Sequence, residues 1–140
     1  MLFLHEIIMS IFNFFKKNKA NQGLDYVAFE KWLDQTLSAE IPDDVVAFNF
    51  NIYEDGDFNW SVELIGASTF DEEDEDWACD EVFSNRDNPI VWQENAVWEE
   101  ILTEVENVVR KYLEQGRFAQ KLKQYKGIAV GFVDGNLTIM

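Results

Sequence analysis

The chain has 140 residues, with 27 Asp and Glu against 11 Lys and Arg, a formal charge of -16, and 47% hydrophobic and 15% aromatic residues. That length suits one domain spanning 1-140, and five Trp and twelve Phe give it the core material that highly charged disordered chains lack. The charge excludes nucleic acid as a direct ligand, since duplex binding needs cations to displace counterions; it favours a basic protein partner through long-range steering, with plain solubility as the competing explanation.

The chain opens on an apolar stretch, Leu2 to Phe15, interrupted by His5 and Glu6. Its basic residues Lys16, Lys17 and Lys19 follow the apolar run instead of preceding it, no small-residue cleavage site appears, and the run is too short to span a bilayer. Export and membrane insertion are therefore not expected. Cys79 is the only cysteine, which rules out an intramolecular disulfide and suits a reducing, cytoplasmic setting. Met9 offers a second start, so residues 1-8 read equally as an upstream extension. Residues 1-23 as a whole read as an N-terminal arm, with Ile11, Phe14 and Phe15 at the spacing of a short helix.

Asp25 is placed to cap a helix in which Val27, Phe29, Trp32, Leu33 and Leu37 recur at helical spacing, ending before Pro42. Val46, Phe48, Phe50 and Ile52 then alternate with Ala47, Asn49, Asn51 and Tyr53, and Phe58, Trp60, Val62 and Leu64 alternate with Asn59, Ser61 and Glu63. The period of two predicts paired strands, joined by a hairpin turn in Glu54-Asp55-Gly56-Asp57. Residues Asp71 to Glu81 form an acidic loop, and Asn85 to Pro89 continue without periodicity. A long helix is predicted from about Asn95 to Glu114, with Val97, Ile101, Val105, Val108, Val109 and Tyr112 on its apolar face, Arg110 and Lys111 favouring its C-terminal dipole, and Gly116 stopping it. Phe118 to Tyr125 reads as a short helix. Ile128, Val130 and Phe132, followed by Asp134-Gly135 and then Leu137 and Ile139, predict a second hairpin with a two-residue turn. The expected fold is α+β: a single, mainly antiparallel sheet of about four strands in two hairpins, with helices packed on one face.

Catalytic constellations are missing from this pattern. The one histidine, His5, lies in the N-terminal stretch, leaving a Ser-His-Asp or Cys-His arrangement without a base. Carboxylates flank Cys79 and disfavour its thiolate, so it reads as a small, buried or inert residue. No GxxxxGK[ST] loop or GxGxxG turn cradles a phosphate. The run DEEDEDWACDEV lacks the glycine at its sixth position and the acid at its twelfth that an EF-hand loop uses. Paired carboxylates in a shielded cleft are the remaining catalytic option, and an exposed run does not supply one. We therefore expect no enzyme, cofactor or dedicated metal site.

The acidic loop packs eight carboxylates into eleven residues: Asp71, Glu72, Glu73, Asp74, Glu75, Asp76, Asp80 and Glu81. It admits three readings: a solvated charge run, a weak cation patch, or a surface that imitates phosphate charge to occupy a basic groove. Trp77 within it is either a partner-facing anchor or a core residue that pins the loop to the sheet. Trp98 reads as structural, Trp92 as a surface candidate, and Tyr53 and Trp60 as residues packed in or across the first hairpin.

The small size together with the FNFNIYEDGDFNWSVELIG hairpin, the DEEDEDWACDE loop and the closing GIAVGFVDGNL hairpin resembles small acidic bacterial immunity proteins of polymorphic or contact-dependent toxin systems. The likeness is one of type and covers most of the chain. It implies a cytoplasmic, non-catalytic protein that binds one cognate toxin domain, for example a basic nuclease, with the eight carboxylates as steering or contact groups and Trp77 as anchor. Two other classes stand beside it: a structural or regulatory protein that self-associates as a homo-oligomer, and a carboxylate-dependent enzyme with a concave site.

Overall fold

The computed structural model describes residues 23-140, so the N-terminal arm, including the alternative start at Met9, lies outside the described residues. Helix α1 (Tyr26–Ser38) starts where expected: the Asp25 carboxylate accepts a hydrogen bond from the Ala28 amide at 3.0 Å, satisfying one of the amides a helix start leaves free. Phe29, Trp32, Leu33 and Leu37 are buried. Val27 is 69% exposed, because two residues before Phe29 place it on the opposite side of the helix.

Strands β1 (Ala47–Gly56) and β2 (Asn59–Ala67) form the expected hairpin, but its turn lies one step later than the Glu54–Asp57 stretch. Asp57 and Phe58 take the turn with φ of 51° and 61°, both left-handed as a two-residue hairpin turn of the favoured twist requires. Phe58 therefore leaves the alternating face assigned to it and is 53% exposed. An irregularity between Glu54 and Gly56 absorbs the shift, as a bulge does.

The acidic segment and the residues after it contain structure that the sequence pattern did not reveal. A 3-10 turn (Glu75–Cys79) leads into β3 (Glu81–Ser84), and Asn85–Pro89 separates β3 from β4 (Ile90–Gln93). Both short strands pair antiparallel with β2, β3 beside Ile65–Ala67 and β4 beside Asn59–Val62. They act as one edge strand broken by a five-residue bulge.

Helix α2 (Trp98–Gln115) buries Ile101, Val105, Val108, Val109 and Tyr112, as the apolar pattern predicts. Val97 precedes the helix as its N-cap and is 57% exposed, and no basic residue falls in its last turn. Gly116 ends α2 with an ordinary φ of -70°, so handedness is not its role. A Cβ there would stand 2.6 Å from the Tyr112 ring, and glycine allows that close approach.

Helix α3 (Ala119–Lys123) turns the chain into β5 (Gly127–Phe132), which pairs parallel with β1, and β6 (Thr138–Ile139) pairs antiparallel with β5. The sheet is therefore mixed, with six strands in the order β3-β2-β1-β5-β6 and β4 also on β2. The expectation of about four mainly antiparallel strands is corrected by α2. β4 ends at the hairpin-tip end of the sheet, and α2 carries the chain back over about 27 Å, so β5 starts level with Ala47 and runs with β1. The closing hairpin is also wider than a two-residue turn, since Ala129 faces Ile139 and Val133 to Leu137 lie between the strands.

The helices cover one face of the sheet. Phe48, Phe50, Ile52, Trp60, Val62, Leu64 and Val130 meet Phe29, Leu33, Leu37, Ile101, Val105 and Tyr112 there in one apolar cluster. The opposite face carries a second, smaller core at one end, where Trp77 and Phe70 lie on Ala47, Ile65, Ala67 and Ala129. A Cβ on Gly127 would collide with the Phe70 ring, so small side chains on β1, β2 and β5 are what let these aromatics lie against the sheet. No described helix is long and apolar enough to cross a membrane.

Candidate functional site

The acidic segment is built onto this second face and is not a free charge run. Trp77 is 4% exposed and meets Phe70 edge-on at 5.1 Å between ring centroids. Its indole belongs to the core, which is the packing alternative for this residue and removes it from the surface open to a partner. Around it the carboxylates divide into two sets. Asp71 accepts from the Glu73 amide at 2.9 Å and Asp74 from the Asp76 amide at 3.0 Å, closing local turns. Glu75 accepts from the Leu137 amide at 2.8 Å, Asp80 from the Thr69 hydroxyl at 2.6 Å, and Glu81 from the Arg86 guanidinium at 2.6 Å. Glu72, Glu73 and Asp76 are exposed and make no side-chain hydrogen bond among the described residues. Cys79, expected to be buried or inert, is exposed, since Trp77 takes the inward position of the short turn.

A second site, unmarked in the sequence, lies under the bulge of the broken edge strand. Asn85–Pro89 stand opposite only Glu63 and Leu64, and Asn85 restores the interrupted ladder with its side chain. The Leu64 amide donates to Asn85 Oδ1 at 2.7 Å, and Asn85 Nδ2 donates to Thr36 Oγ1 of α1 at 2.7 Å. The next residue, Arg86, is thereby turned over the second face. Its Nε donates to Glu63 Oε1 at 2.7 Å, and Glu63 is 2% exposed. The Tyr53 hydroxyl makes a short hydrogen bond to Glu63 Oε2, Asn51 donates to the same oxygen at 3.3 Å, and Asn49 donates to Asn51 at 2.6 Å. Burial, then the bond to Glu63, push the Tyr53 hydroxyl up to about 12. Hydrogen bonds to Glu81 and Glu63 raise Arg86 further above its already high range. These bonds hold the Glu63 carboxylate between Tyr53, Asn51 and Arg86 and fix the position of each group over the second face. Through Arg86 it ties Glu81, at the end of the acidic segment, to the centre of the sheet.

A third feature opens where β1 and β5 end together beside the start of α2. Here a cleft of about 970 Å³ is lined by Ile52, Tyr53, Trp98, Leu102 and Phe132, and by Glu54 and Asp134. Trp98 is 53% exposed and stands edge-on to Phe132 at 6.1 Å, which corrects its expected structural placement. Trp92, by contrast, is half-buried, and its indole donates to Glu94 at 3.0 Å. Glu94 also accepts the Trp60 indole on its backbone oxygen at 2.9 Å. It neighbours Glu104, whose carboxyl burial and the Glu94 hydrogen bond push up to about 8, against the opposing bond from the Leu24 amide.

The charges are segregated along the molecule. Arg110, Lys111, Arg117, Lys121, Lys123 and Lys126 crowd the run from the end of α2 to the start of β5. Among the described residues both ion pairs belong to Arg86, which leaves most carboxylates without a cation. No three His, Cys, Asp or Glu converge as a metal site among the described residues. Compared with protein-family models, with curated proteins and with solved structures, the chain matches none of them.

Proposed function

We propose that this protein is a non-catalytic binding domain that neutralises a basic protein, in the manner of an immunity protein for a toxin domain, through its acidic surface. The observation that supports this reading is the anchoring of the acidic segment. A run kept only for solubility needs no buried Trp, yet this one is pinned by Trp77, by Glu75 on Leu137 and by Glu81 on Arg86. Holding like charges together opposes folding by self-repulsion. Binding a cationic surface offsets that cost, and the fixed backbone lowers the ordering entropy lost on docking. Glu72, Glu73 and Asp76, exposed on this frame, are the contact or steering groups. Asp71, Asp74, Glu75, Asp80 and Glu81 hold the frame while adding to its field.

Affinity capture of the tagged chain from its own cells at low salt tests the reading, run beside a Glu72→Gln/Glu73→Gln/Asp76→Asn variant. The expected result is one basic protein domain retained in equal stoichiometry by the parent chain and lost from the variant, whose isolated activity the parent chain abolishes. Recovery of this chain alone, or of a partner that remains fully active in the complex, would overturn the proposal.

A further inference from the structure

The geometry points to the cleft between the ends of β1 and β5 and the start of α2 as a second docking site, one that takes a Lys- or Arg-bearing segment of the basic partner. This inference rests on the proposed binding of a basic protein and assigns it a further contact surface. The cleft combines two kinds of wall. Trp98, Phe132 and Leu102 give it an apolar side, and Trp98, left half in water, is the type of residue most enriched at binding hot spots. Glu54 and Asp134 add two carboxylates to its lining, and Asp55 and Asp57 follow Glu54 in the exposed hairpin tip. No cation lines it among the described residues, and Arg110 lies about 18 Å along α2 from Trp98, beyond the screening length at physiological salt. A long cationic side chain matches both walls, since its methylenes cover the apolar surface, its charge meets the carboxylates, and a guanidinium or ammonium is attracted to the face of an indole.

The cleft is read directly by titrating the isotope-labelled full chain with the peptide Ac-Gly-Arg-Leu-Arg-Gly-NH2 and with its Glu-for-Arg counterpart. The expected result is saturable shifts at Glu54, the Trp98 indole and Val133 to Asn136 with the Arg peptide only. Affinity should fall roughly two- to fivefold in Trp98→Ala, and its salt dependence should flatten in Glu54→Gln/Asp134→Asn. Shifts confined to residues 71-81, equal response to both peptides, or no shift would each overturn the assignment. So would cleft shifts that appear without peptide and disappear on dilution, or on Lys16→Gln/Lys17→Gln/Lys19→Gln, because the occupant would then be a second copy or this chain's own N-terminal segment. The peptide result stands apart from capture. A partner retained undiminished by Trp98→Ala rejects the cleft and keeps the binding function, whereas failure of capture by the parent chain rejects the function while the titration still reads the cleft.

Discussion

The two faces of the sheet solve opposite problems. Toward the helices, β1, β2 and β5 present Phe48, Phe50, Ile52, Val62, Leu64 and Val130 to α1 and α2, and stability there is a matter of apolar area and close packing. On the other face, beyond the small apolar core at one end, β1 and β2 present Asn49, Asn51, Tyr53 and Glu63, all wholly or partly buried, so each polar atom needs a partner. Arg86 and the bulge supply it for Glu63, while Asn49 Oδ1 and the Trp77 indole nitrogen remain buried without one. Beside that small apolar core, a stretch of the face that burial alone would have made apolar is polar and tied to the acidic segment through Arg86. That difference separates what holds the fold from what presents charge.

The largest effect is expected on the helix side. Phe50→Ala removes a fully buried ring and should cost about 3–5 kcal/mol of unfolding free energy, read from urea denaturation. On the polar face Arg86→Met leaves the Glu63 charge without its cation. Since Arg86 is 56% exposed and water can partly replace it, the expected loss is about 2–3 kcal/mol, and adding Glu63→Gln should recover part of it. A loss below about 0.5 kcal/mol would mean that the buried pair does not hold the bulge.

Two smaller effects set the faces further apart. Between pH 5 and 8 Glu104 keeps its proton in the folded protein, where its pKa is about 8, and loses it in the unfolded chain, where it lies near 4.5. The folded state then binds the extra proton, so stability is greatest at the acid end of this window and declines as pH rises. The decline should be about 1–2 kcal/mol after screening by water at this partly exposed site, and Glu104→Gln should flatten it. A matched pair of indole substitutions gives the finest distinction. Trp60→Phe loses a donor to the Glu94 carbonyl, whereas Trp77→Phe removes a nitrogen that has no partner. The first should therefore cost about 1 kcal/mol more than the second in parallel denaturation curves.

The helix-facing half was legible in the sequence because one periodicity dominates it. Asp25 marks the start of α1, the apolar residues of α2 recur every three or four positions, and the alternation of β1 announces its strand. The polar half was not legible, for specific reasons. β3 and β4 have four residues each and share one neighbour, which is too short for a period of two to stand out. Glu63 occupies an alternating position that reads as outward and polar, and only the later Arg86 covers it. The parallel pairing of β1 with β5 follows from α2 carrying the chain back along the sheet, which the alternation within either strand does not announce. In the acidic segment the eight carboxylates were visible, but their division into frame and free groups was not, because it rests on long-range bonds such as Glu75 to the Leu137 amide. That division makes Glu72, Glu73 and Asp76 the informative substitutions, since changing Asp74 or Glu75 disturbs the backbone as well as the charge.

The association rate of the captured basic domain with the parent chain and with Glu72→Gln/Glu73→Gln/Asp76→Asn, followed by stopped flow across a range of salt, decides whether the exposed carboxylates steer the partner. A fast rate for the parent chain that falls steeply with salt is expected, with a slower, flatter dependence for the variant at unchanged thermal stability. The same rate and the same salt slope for both proteins would contradict steering by these three groups.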